Sequence, residues 1–123
     1  MIEAATLEYA VDLFSGMGGV AARRMFGSAG LYSYGVMFAL IDDDRIFLKT
    51  DDALRADLVA EGAVAWIYTG RKGPEGWPQE TSYWSLPDAA CEDPEEACAW
   101  GRRALAVAGA IKASAPTGRR RRG

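Results

Sequence analysis

The chain has 123 residues, half of them hydrophobic and a quarter charged, with a formal net charge of −3; this is the make-up of one globular domain and excludes both a two-domain protein and a disordered polyelectrolyte. It contains no histidine, which removes Ser-His-Asp and Cys-His nucleophiles, HExxH metal sites and the most frequent general base at neutral pH. Cys91 and Cys98 are too few for a disulfide framework and lack zinc-knuckle spacing, and no apolar run approaches the roughly 18 residues of a membrane helix.

In chain order, Leu7, Ala10, Val11 and Phe14 fall on one helical stripe that ends at Gly16, Gly18 and Gly19. The Gly-Met-Gly-Gly run follows a helix and precedes a strand, the reverse of a phosphate-cradling loop, so it is a helix terminus. Residues 20–26 form the first expected strand, with Arg23 and Arg24 on opposite faces. One of them points to solvent, and the other pairs with an acidic neighbour or crowns an interaction surface. Gly27 and Gly30 bracket a turn or bulge.

Residues 31–32, 36–41 and 46–48 continue a meander, broken by turns at Ser33-Tyr34-Gly35 and Asp42-Asp43-Asp44. Strict alternation places Val36, Phe38 and Leu40 on one face of the middle strand and Met37, Ala39 and Ile41 on the other. Three consecutive aspartates splay apart and lack calcium-loop spacing, so no metal is expected there. Thr50 is the expected N-cap of a short helix that buries Leu54 and Leu58 and stops near Gly62. A strand over residues 63–69 precedes the Gly- and Pro-rich loop 70–80. Within that loop Arg71, Lys72 and Trp77 have the tools to clamp a nucleotide or unstacked base, or the tryptophan folds back over the sheet edge.

Residues 81–86 supply the last strand, stopped by Pro87. Asp93, Pro94 and Glu96 then form a capping box, and Ala97, Trp100, Ala104, Val107, Ala108 and Ile111 mark one buried stripe of the final helix. Residues 113–123 form an expected disordered basic tail after a domain of residues 1–112. Arg119, Arg120, Arg121 and Arg122 are either a weak, non-specific nucleic-acid arm with strong salt dependence or a solubilising tail. Without them the count is ten basic against seventeen acidic residues, a body that repels phosphate backbones.

The order α-β-β-β-β-α-β-β-α predicts an α+β two-layer sandwich, with a mainly antiparallel sheet of about six strands under helices on one face. Apolar residues on both faces of the middle strand exceed what three helices on one face cover, which predicts a homodimer.

Arg24-Met25-Phe26-Gly27, Gly30-Leu31-Tyr32, Gly35, Met37-Phe38-Ala39-Leu40 and residues 46–49 resemble the signature of the TfoX/Sxy N-terminal domain family, the amino-terminal half of bacterial regulators of natural competence. Tyr83-Trp84-Ser85-Leu86-Pro87, the acidic stretch after it and the helix containing Trp100 are similar to that family's closing strand and helix. The resemblance spans most of residues 1–112. It implies a compact α+β fold and a non-enzymatic, cytoplasmic regulator, without cofactor, that contacts proteins of the transcription machinery. The best-known relatives promote competence genes together with a cyclic-AMP receptor protein. This chain departs from them in having no room for their helical C-terminal domain. Two other expectations stand beside it, a dimeric interaction module of an unrelated pathway and a small-ligand binder or enzyme.

Overall fold

A computed structural model describes residues 2–25, 27–68 and 79–114. Its order is α1 (Ala4–Phe14), β1 (Val20–Arg24), β2 (Ser28–Ser33), β3 (Val36–Asp42), β4 (Arg45–Lys49), α2 (Asp52–Ala60), β5 (Ala65–Tyr68), β6 (Gln79–Ser85) and α3 (Pro94–Ser114), with short 3-10 turns at Ser15–Met17 and Asp88–Glu92. The six strands pair antiparallel in the order β1-β2-β3-β4-β6-β5. This is the expected α+β fold.

Two-residue turns make the meander. Tyr34-Gly35 and Asp43-Asp44 all have positive φ, the combination whose twist matches that of the flanking antiparallel strands. The Tyr34 ring is laid across the end of the first helix, and this accounts for the glycine run. A Cβ on Gly18 would lie 2.7 Å from the Tyr34 hydroxyl and one on Gly19 2.5 Å from its ring, and both glycines have positive φ. The Tyr34 amide donates to Gly19 and the Ser33 hydroxyl to Gly18, at 2.9 and 2.7 Å. Gly-Met-Gly-Gly therefore seats a hairpin turn on a helix terminus.

A bulge divides the sheet into its two faces. Leu31 pairs with Ala39 but Tyr32 pairs with Met37, so Phe38 is an extra residue. In a bulge two successive residues oppose one partner and alternation breaks. Phe38 accordingly joins Ala39, Ile41, Ala29, Leu31, Ile46 and Leu48 in the core under the helices, while Leu40 stands outside that cluster. This corrects the grouping of Val36, Phe38 and Leu40 on one face. Simple alternation cannot register an extra residue that pairing alone reveals.

The helices close the core from one side. Phe14 of α1 meets Phe38 edge to face, α2 contributes Leu54 and Leu58, and α3 contributes Ala97 and Ala104. Three local expectations change. The N-cap of α2 is Asp51, whose carboxylate accepts the Leu54 amide at 2.9 Å, while the Thr50 hydroxyl donates to the Ser82 carbonyl across the sheet. At α3 the Asp93 carboxylate accepts the amides of Glu95 and Glu96. The reciprocal bond of a capping box is missing, because the Asp93 amide donates to Ala90 and the Glu96 carboxylate accepts the Trp100 indole N–H. The buried stripe of α3 is also rotated toward Ala97, Cys98, Gly101 and Ala104, leaving Trp100 half-buried under the Arg103 guanidinium and Ile111 exposed.

That rotation depends on one glycine. A Cβ on Gly101 would come within 2.6 Å of the Met17 sulfur and 2.9 Å of the Phe14 ring, whereas one on Gly109 of the same helix meets nothing within 4 Å. Overpacking costs about 1–3 kcal/mol, while Gly to Ala in an unobstructed helix gains about 0.8–1 kcal/mol. Urea denaturation should show Gly101→Ala destabilised and Gly109→Ala stabilised; equal effects would contradict this packing.

Candidate functional site

The face of the sheet away from the helices gathers a different chemistry. Its side chains follow from the register: Arg23 lies opposite Gly30 and Gly30 opposite Leu40, then Leu40 opposite Phe47. Beside this row runs a second, with Tyr32 opposite Met37 and Lys49 opposite Tyr83. The Arg23 guanidinium sits 5.5 Å from the centre of the Tyr32 ring and the Lys49 ammonium 5.1 Å from that of Tyr83. Each pair gains from the attraction between a cation and an aromatic face. Lys49 is also fixed by a 2.7 Å bond to the Ser82 hydroxyl.

Trp66 of β5 completes the row. Its ring meets Tyr83 edge to face at 6.2 Å, and its indole N–H donates to Asp42 at 2.8 Å. Since β6 and β4 separate β5 from β3, that bond carries the indole over the face on which Leu40 and Phe47 lie, and both are buried at 2% and 6% exposure. Among the described side chains Asp42 is the one carboxylate on this face. At its rim a cavity of about 330 Å³ opens between Tyr32, Met37 and Lys49 on the sheet and Ala108 on α3. Burial, and then the neighbouring Tyr32, push the Tyr83 phenol above the ordinary tyrosine range.

The two adjacent arginines separate as alternation requires. Arg23 belongs to the outer array, whereas Arg24 turns to the helix side and donates to the Ile2 carbonyl. Its partner is a backbone oxygen and not an acidic side chain. Arg71, Lys72 and Trp77, and likewise Arg119, Arg120, Arg121 and Arg122, lie outside the described residues. Sequence reasoning missed Tyr32, Lys49, Trp66 and Tyr83. They come from four strands, and the signal available was their parity along strands whose pairing order was unknown.

A family model described as the TfoX N-terminal domain matches residues 12–108. The chain belongs to that family. A comparison with curated proteins finds no match. The matched span holds all six strands, and with them the whole outer array of this TfoX N-terminal domain. No helix among the described residues is long and apolar enough to cross a membrane.

The tyrosine environment is directly measurable. With a folded pKa above the unfolded one, the stability linked to Tyr83 is fully present below about pH 10 and is lost as pH rises through the folded value. Burial also pushes the Tyr9 phenol up, so absorbance titration at 295 nm should show two late phenolates, of which Tyr83→Phe removes one. An unchanged late amplitude in that variant would place the late titration elsewhere.

Proposed function

We propose that this TfoX N-terminal domain is a non-enzymatic regulatory module of the cytoplasm that holds a protein of the transcription machinery against the outer face of its sheet. The observation that carries the reading is the outer array, in which Arg23 and Lys49 are each set over a tyrosine. Among the carboxylates whose side chains are described, those other than Asp42 sit on the helices, their flanks and the Asp43-Asp44 turn. Half-buried aromatics fixed beside cations are the groups that anchor protein interfaces, and a face with a predominance of one charge selects partners of the opposite charge.

The same array favours binding over catalysis. Arginine is already protonated at neutral pH and cannot act as a base, and burial pushes the Tyr83 phenol further from ionising. Family membership adds the regulatory context, since the TfoX model covers the strands that build this face.

The test is affinity purification of the tagged chain from its native cells, compared with an Arg23→Glu/Lys49→Glu form of equal thermal midpoint. RNA polymerase or a transcription factor should co-elute with the unaltered chain and fall by about tenfold or more with the variant, a change of at least about 1.4 kcal/mol in affinity. Equal recovery by both forms, or recovery of metabolic enzymes alone, would overturn the proposal.

A further inference from the structure

One edge of the sheet is open and in phase with a copy of itself. β1 is the terminal strand beyond β2, and its register runs unbroken from Val20 opposite Ser33 to Arg24 opposite Ala29. Two bonds fix the phase of that ladder: the Tyr34 amide donates to Gly19 at 2.9 Å and the Met25 amide to Ser28 at 2.7 Å. Hydrogen-bonded pairs alternate along antiparallel strands, so Ala21 and Arg23 turn their N–H and C=O groups to β2, while those of Val20, Ala22 and Arg24 point away from the sheet. Among the described residues no backbone group pairs with them. The strand has neither the proline nor the bulge that closes an edge to further pairing.

The helix above this edge exposes apolar surface on the same side. On α1 the Tyr9 hydroxyl is tied to the Cys91 carbonyl ahead of α3, and the opposite flank carries Leu7 and Val11, one turn apart. These two, with Val20 and Ala22 on the helix side of β1, pack against the core and are only half-buried.

We propose that β1 pairs antiparallel with β1 of a second copy, about a two-fold axis at Ala22. The phase selects the register, because outward-pointing residues must meet outward-pointing residues. With Ala22 opposite the partner's Ala22 all positions of the strand overlap, and Val20 meets the partner's Arg24 in a hydrogen-bonded pair on each side of the axis. Arg23 then faces the partner's Ala21, so no arginine is set opposite another. An axis at Arg23 would put like charges directly opposite, which is destabilising, and one at Ala21 would carry Arg24 off the end of the partner strand. The helix flank selects the second copy. Strands lie about 4.8 Å apart and α1 rests on both β1 and β2; a helix over the line between them is about 5 Å from the axis and about 10 Å from its copy, a helix-packing distance. An unrelated edge strand supplies the backbone bonds without that second apolar flank. The axis is perpendicular to the sheet, so Leu7 and Val11 of both copies close over the joined strands. Both outer arrays share the other side, which this dimer leaves open.

Sedimentation equilibrium of the full chain should give a dimer at micromolar concentration. Ala22→Pro removes the central outward N–H and no bond to β2, and Val11→Lys puts a charge on the helix flank. At an unchanged thermal midpoint each should associate about tenfold more weakly or worse. Cysteine crosslinking reads the register without either variant, at two exposed positions. Ala21→Cys and Arg23→Cys chains, mixed and oxidised, should form a disulfide between those positions, because directly opposed Cα atoms of such a pair lie about 4.5 Å apart. Either chain alone should not, since like positions are about 7–8 Å apart on the diagonal, beyond ready disulfide reach. Peptide mapping identifies the bond against Cys91 and Cys98. An unaltered chain that is monomeric at every soluble concentration, undiminished association of a folded variant, or a mixture without the 21–23 disulfide would overturn the proposal.

Discussion

The edge-to-face contact of Phe14 with Phe38, ring centroids 5.3 Å apart at 77° and both rings fully buried, is where the helix layer is locked to the sheet. It exists because the bulge after Met37 turns Phe38 inward beside Ala39. On the helix side it depends on Gly101, which leaves α3 room to pass over the Phe14 ring. One extra residue in a strand and one missing Cβ in a helix thus fix how the layers meet. Their effect extends to the opposite face: with Phe38 turned in, Tyr32 and Met37 are left as an outward pair.

From that division follows a segregation of charge. Helices begin with carboxylates because their first-turn amides and dipoles favour negative charge, and Asp51, Asp52, Asp93, Glu95 and Glu96 all occupy such positions. The acidic balance of the chain is therefore concentrated in the layer that caps the core. The sheet's outer face, which has no helix termini to serve, carries cations over aromatic rings. The two surfaces have opposite polarity because the elements that form them have different electrostatic needs, and this makes them suited to different partners.

Much of the architecture was legible in the sequence because it rests on local chemistry. The stripe Leu7, Ala10, Val11 and Phe14 gave α1, the paired turn residues gave the hairpins, and Asp93 before Pro94 gave the start of α3. What was hidden depends on pairing. No periodicity shows that Phe38 is an extra residue, since Val36 to Ile41 is apolar throughout and either parity reads equally well. Thr50 and Asp51 are both good caps, and only the Thr50 bond to Ser82 on a strand far along the chain leaves the role to Asp51. The stripe of α3 was misplaced by the size of Trp100, because small residues (Ala97, Gly101, Ala104) are what close approach to Phe14 requires. The outer array joins residues 23, 32, 49, 66 and 83, which come together only when the order β1-β2-β3-β4-β6-β5 is known. Membership of the TfoX N-terminal domain family was recognisable from the meander residues, whereas the face that carries the proposed function was not.

The bulge aims Phe38 at Phe14, and a double-mutant cycle measures that contact directly. Phe14→Leu and Phe38→Leu keep both positions apolar while removing the paired rings, so the coupling between them isolates the edge-to-face interaction from burial. Urea denaturation of the two single variants and the double should give a coupling of about 0.5–1.5 kcal/mol in favour of the aromatic pair. Costs that add to within about 0.3 kcal/mol would show that the two rings do not meet and would contradict the division of the sheet into its two faces.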